Sequence, residues 1–167
     1  YNEKNWRILP RQAVHDSSSV TYPVFTAIAA PEVQNKLNGD FAIIAGPYLQ
    51  NLATGGCELD YTLTFVSEKF ISIVFFGVLD EGEKEIFAKI PLNIDVQTGA
   101  QLALGDVLNL RDADLLPVLR LLTKKDKVDF SKGIPESWYY NGTNFVFCQR
   151  SETGEWLEAT VAASDLK

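Results

Sequence analysis

From Leu59 to Val96 the chain alternates, and this limits its possible folds more than any other feature. Leu59, Tyr61, Leu63 and Phe65 occupy every second place, with Asp60, Thr62 and Thr64 between them. Side chains of a strand point to opposite faces in turn, so this run predicts a half-buried strand with one wet face. Phe70 to Val78 is apolar on both faces apart from Ser72, which predicts a central, covered strand. Ile86, Ala88, Ile90, Leu92, Ile94 and Val96 then alternate without a fault. Ser67-Glu68-Lys69 and the charged Asp80-Glu81-Gly82-Glu83-Lys84-Glu85 separate the three runs, so an antiparallel meander is expected.

Outside this block the period changes. Val33, Leu37, Phe41, Ile44, Tyr48 and Leu52 recur three and four apart behind Pro31, which suits the first turn of a helix. Gly46-Pro47 is expected to kink or split that helix, because proline lacks the N–H and clashes one turn back. Gly55-Gly56 ends it. A second helix is expected from an N-cap at Asp114, with Pro117 in its first turn and Leu115, Val118, Leu119 and Leu122 on its buried face. Before the first helix, Trp6 and Ile8, then Val20, Tyr22 and Val24, read as strands around a turn at Asp16-Ser17-Ser18-Ser19, with Pro23 marking an edge. Near the end, Asn141-Gly142 between two β-prone runs signals a hairpin, and Trp156 to Val161 a last strand. These elements describe an α+β fold: antiparallel meander and hairpin sheets with two main helices packed on them. At 167 residues the chain suits one domain, with room for two lobes, about 1–57 and 58–167.

Composition narrows the function classes. The net charge of −7 argues against nucleic acid, whose backbone is held by Lys and Arg. It also argues against an anionic membrane surface, and no run of roughly 18 apolar residues exists to insert in one. Acidic charge favours a basic protein partner. Met is absent, the start included, as in a processed or trimmed piece. Cys57 and Cys148 form no C-x-x-C pair and match no zinc spacing; the sequence leaves both a disulfide and two buried thiols open.

No catalytic motif stands out. A triad or a histidine metal cluster would need His15, the only histidine, and it sits beside a polar turn. Ser17-Ser18-Ser19 lacks the context of a nucleophile elbow, and the glycines form no phosphate cradle. No cofactor is implied. The carboxylates number 22, so some will lie at hydrolase spacing by chance. Trp138, Tyr139 and Tyr140 form the most unusual aromatic run. Trp138 and Tyr140 share a strand face and, with Trp156, are the candidate partner contacts, against core packing as the plainer reading.

The stretch Asn93-Ile94-Asp95-Val96-Gln97-Thr98-Gly99, followed by Leu102-Ala103-Leu104-Gly105-Asp106-Val107-Leu108, resembles a signature of the RsiV-like C-terminal domain family. Tyr22-Pro23-Val24-Phe25, the helix carrying Val33 and Asn35, and the ending from Phe145 to Lys167 are similar to other parts of that domain, so the resemblance covers the chain from about residue 20 onward. The chain departs from the family pattern in two loops, Gly77 to Gly82 and Arg150 to Trp156, so no binding residue carries over. Such domains form ectodomains of bacterial anti-sigma factors or accompany peptidoglycan deacetylase domains. The resemblance implies an extracytoplasmic, non-enzymatic binding or accessory module of the cell envelope, with peptidoglycan or a basic protein such as lysozyme as partner. The alternative is a carboxylate-based hydrolase acting on cell-wall glycan, which needs two carboxyl groups converging in a pocket.

Overall fold

The computed structural model describes residues 2–3, 6–80, 82 and 84–166. Glu81 and Glu83 of the expected charged tip, and Lys167 of the closing motif, lie outside them. The first sheet has six strands in chain order: β1 (Asn2–Glu3), β2 (Trp6–His15), β3 (Ser18–Thr26), β4 (Cys57–Val66), β5 (Phe70–Asp80) and β6 (Glu85–Asp95). The second has three, β7 (Trp138–Tyr140), β8 (Asn144–Arg150) and β9 (Trp156–Ala162). Helix α1 spans Pro31–Asn51, a short α2 spans Leu104–Leu108 and α3 spans Asp112–Leu122. The meander forms in the expected order, with β5 paired on both sides, but a bulge after Leu63 takes Phe65 off the face it was expected to share with Leu59, Tyr61 and Leu63.

One junction is parallel. β3 meets β4 at Ser19↔Glu58 and Val20↔Leu59 only, with α1 as the crossover. Beyond Val20 this side of β3 has no strand partner among the described residues. Pro10 lies opposite Pro23 across β2 and β3. Two residues without N–H groups fit only a non-hydrogen-bonded site, so from Pro23 onward alternate backbone groups of β3 point to the open side. The side chain of Asn38 on α1 closes it there: its Oδ1 accepts from the Phe25 N–H at 2.7 Å and its Nδ2 donates to the Phe25 carbonyl at 3.0 Å.

Two cores result. In the first, Val33, Leu37, Phe41, Ala45 and Tyr48 of α1 pack on Ile8, Phe25, Leu59, Ile71, Ile73 and Phe75. Phe41 stands between Phe25 and Phe75, each with ring centroids 5.6 Å away. Gly77 is needed where α1 presses on β5: a Cβ there would lie 2.5 Å from the Glu58 carbonyl and 2.7 Å from the Tyr48 ring. In the second core, Leu104, Leu115 and Leu119 cover Trp138, Phe145, Phe147, Ala159 and Val161. The expected boundary near residue 57 falls inside the first sheet, between α1 and β4; the cores divide only after Val96.

Several expectations are corrected. α1 runs through Gly46-Pro47 unbroken. Pro47 and Ile43, the residue whose carbonyl loses its donor, are both on the exposed side of the helix, where water can replace the missing N–H. α3 begins at Asp112 with Arg111 as its N-cap, so Asp114 lies inside the first turn. Val118 and Leu122 are not part of its buried face. Leu115 and Leu119 are buried in the second core and Leu116 packs against it half-buried, so the side carrying Val118 and Leu122 is left uncovered.

Candidate functional site

The segment from Asn93 to Asp112 joins the two cores, and its residues divide into those that hold it and those that present it. Asn93 holds it. Strand β7 pairs with β8 on one side, leaving the Trp138 carbonyl and the Tyr140 N–H on the other. The Asn93 Nδ2 donates to the Trp138 carbonyl at 2.7 Å, and the Tyr140 N–H donates to the Ser72 hydroxyl at 2.9 Å. The Ser72 hydroxyl donates in turn to the Asn93 Oδ1 at 2.6 Å. Both side chains are buried, so each polar atom needs its partner. Ser72 and Asn93 face each other on β5 and β6, on the side of the sheet away from α1. The second sheet therefore sits on that far side.

A β-bulge prepares the same junction. Leu63 pairs with Ile73 but Phe65 with Ser72, so Thr64 is the extra residue. It turns Phe65 to the Ser72 face, where its ring meets Tyr140 edge-on with centroids 4.8 Å apart. The Thr64 hydroxyl donates to the Ser72 carbonyl at 3.1 Å.

The turn after β6 is built by the next signature residues. The Asp95 carboxylate accepts from the Gln97 N–H at 2.7 Å and the Thr98 N–H at 3.2 Å, and the Gly99 N–H donates to the Asp95 carbonyl at 2.8 Å. Gly99 takes φ 73°, a region glycine enters without strain. The Asp106 carboxylate accepts from the Ala103 N–H at 2.9 Å and so caps α2. Asn93, Asp95 and Asp106 of the signature thus each serve the scaffold through their side chains.

Open clefts flank this segment. One, about 440 Å³, has Leu104, Ile134 and Trp138 among its apolar walls, with Asp112 and Glu136 at its rim and no basic residue in its lining. Another, about 500 Å³, lies between the signature turn and α2, lined by Lys69, Asp95 and Asp106 among others. Asp112 and Glu136 are exposed, and no nucleophile–base pair meets them. The arrangement can grip a cationic side chain; nothing in it supports the hydrolase alternative.

The three aromatic candidates are not brought together as a surface. Trp138 is 2% exposed and packs with Phe145 in the second core, so it is withdrawn as a partner contact: its strand face is the one α3 covers. Tyr140 is half-buried, stacked on Phe145 at 4.7 Å, and its hydroxyl donates to the Gly142 carbonyl at 2.7 Å. Trp156 is half-buried under the Arg150 guanidinium at 6.0 Å, with its indole Nε1 turned inward and without an acceptor among the described residues.

Sequence reasoning missed a second cluster. Lys89 on β6 pairs with Glu158 on β9 and lies over the Tyr139 ring, 5.4 Å from its centre. Burial lowers the Lys89 proton affinity, but the hydrogen bond to Glu158 and the negative groups beside it outweigh that, and the net shift is upward. The Cys148 thiol, 4.0 Å from the Glu158 carboxylate, is pushed from 9.0 up to about 11, chiefly by burial. Burial also raises Cys57, whose thiol donates to the Tyr48 carbonyl at 3.3 Å. Both cysteines are free, so the sequence's open alternative resolves to two buried thiols. His15 is half-exposed, with its Nδ1 3.4 Å from the Asp16 carboxylate. Among the described residues, no group of three metal-ligating side chains converges, and no helix is long and apolar enough to cross a membrane.

No protein-family model matches the sequence, and neither does any curated protein. Solved structures do. The chain is similar to a member of the DUF3298 family from Bacteroides fragilis, with TM-score 0.59 and 11% identity over 96% of this chain and 93% of that one. It is also similar to a DUF3298 family protein from Pseudomonas aeruginosa, with TM-score 0.56 and 10% identity over 99% and 93%. At this identity the likeness establishes a shared fold, and it extends across both cores.

Proposed function

We propose that this chain is a non-catalytic, extracytoplasmic binding module of a bacterial cell-envelope protein, related to the RsiV-like C-terminal domains, and that it takes a basic protein partner. The observation that carries this is the cleft whose accessible apolar lining is Leu102, Ile134 and Pro135, with two carboxylates, Asp112 and Glu136, at its rim. A lysine or arginine side chain suits such a site, laying its aliphatic stem on Leu102 and Ile134 and its charge between the acids. The chain's net charge of −7 would steer a basic protein toward it. The sequence resemblance and the fold shared with bacterial DUF3298 proteins support the same setting.

Binding of hen lysozyme, a basic protein, and of purified peptidoglycan is measured by calorimetry and by pull-down. The expected result is salt-sensitive binding to lysozyme that weakens about tenfold or more in the Asp112→Asn/Glu136→Gln double variant. Binding that ignores both substitutions would move the site elsewhere. Binding to peptidoglycan alone would replace the protein partner by a glycan. Release of soluble sugar fragments from peptidoglycan would overturn the non-catalytic reading.

A further inference from the structure

Helix α3 keeps only half of its apolar surface inside. Leu115 and Leu119 are buried, but Val118, Leu121 and Leu122 are 38%, 73% and 40% exposed, and Pro117 beside them is exposed too. Residues three and four apart share a helix face, so these four form one continuous apolar stripe. Scattered exposed leucines are ordinary; a stripe along one side of an 11-residue helix marks a contact surface.

The charges around the stripe indicate its occupant. Asp114 stands on the same face one turn before Val118, held by Arg111 at 2.9 Å. Lys124, Lys125 and Lys127 follow the helix, and none pairs with a carboxylate among the described residues. The stripe therefore runs from acid through apolar to base. Reversed end for end, it complements itself. A two-fold axis between Leu119 and Arg120 sets Val118 against Leu121 and Pro117 against Leu122, and brings Asp114 toward Lys125 in the turn that follows the helix. Antiparallel helix dipoles favour the same arrangement. A basic partner would be repelled by the lysine end, whereas a copy of the chain matches both ends at once. Asp112, nine residues before Leu121 and so half a turn round the helix, stays on the far side with the cleft.

We propose that this face of α3 is the contact of an isologous dimer, its occupant a second copy of this chain lying antiparallel. The contact leaves the Asp112–Glu136 cleft of each copy open.

Sedimentation velocity on the 167-residue chain over a range of concentrations tests it. A monomer–dimer equilibrium is expected, and Leu121→Glu should weaken dimerisation about a hundredfold while circular dichroism stays unchanged. Asp114→Lys alone and Lys125→Asp alone should each weaken it, and the double variant should restore it. Within one copy Asp114 lies about 12 Å along the helix from its last residue, Leu122, and Lys125 lies past that end, so only a reversed partner can explain restoration. A wild-type chain that stays monomeric at millimolar concentration overturns the proposal. So does a dimer indifferent to Leu121→Glu, or one that the double charge swap does not restore.

Discussion

Strand β3 beyond Val20 and strand β7 each lack a strand neighbour on one side among the described residues, and in each case an asparagine side chain takes its place. At β3 a single residue suffices: Asn38 serves both the N–H and the carbonyl of Phe25, from a helix 13 residues away in sequence. At β7 the two groups belong to different residues, Trp138 and Tyr140, so one amide cannot span them, and Ser72 is recruited through its own bond to Asn93. The first clasp is half-buried and fastens a helix to its own sheet. The second is buried and fastens one sheet to another. Water can replace a lost amide at the first site and not at the second, so the same residue type should be worth more where it joins the two layers.

Asn93→Leu breaks the comparison hardest. It leaves the Trp138 carbonyl and the Ser72 hydroxyl short of partners in a dry interface and should cost about 3 kcal/mol in urea unfolding. A cycle with Ser72→Ala should show coupling of about 1 kcal/mol or more, because the two side chains form one network. Additive effects would mean that the clasp is two separate bonds.

Alkali tests the same layer by another route. The Cys148 thiol titrates at about 11 in the fold, above its ordinary 9.0. The fold therefore favours the neutral thiol. That stabilisation is complete below pH 9 and is lost as pH rises from 9 toward 11, a contribution of about 2 kcal/mol. Melting followed from pH 8 to 11 should show the loss, and Cys148→Ala should flatten this part of the profile.

Asn38→Ala should cost about 1 kcal/mol, less than Asn93→Leu, measured in the same denaturant. A cost equal to that of Asn93→Leu would show that the solvent side of β3 is as dry as the inter-sheet joint. Ile43→Ala is the smallest effect. Ile43 is 76% exposed on α1, and its loss should stay within about 0.5 kcal/mol.

Both helices are rich in apolar residues, yet only one could be read correctly. In the first half of α1 Val33, Leu37 and Phe41 recur with polar residues between them, so they declare the buried side themselves, and Ala45 and Tyr48 continue their spacing. In α3 the run Leu115-Leu116-Pro117-Val118-Leu119 has no polar break, and its inner face depends on where a three-stranded sheet happens to lie. The aromatic run carried the same ambiguity. Alternation put Trp138 and Tyr140 on one face but could not say that α3 closes it. Ser72 was legible as an exception in an apolar strand, and Asn93 as part of a signature. Their meeting was not, since the bond runs to a strand 45 residues further on. The cleft was equally out of reach, because Leu104, Asp112, Glu136 and Trp138 share no periodic pattern.

Periodicity alone determined the meander, the long helix and the closing hairpins, because each is written in the spacing of neighbouring residues. Tertiary structure decided which wet faces stay wet. The polar side of β5 and β6 becomes an interior once the second sheet lies on it, and one side of α3 stays outside because no layer reaches it. Local pattern fixes which side chains share a face, while burial depends on what a distant part of the chain brings to that face.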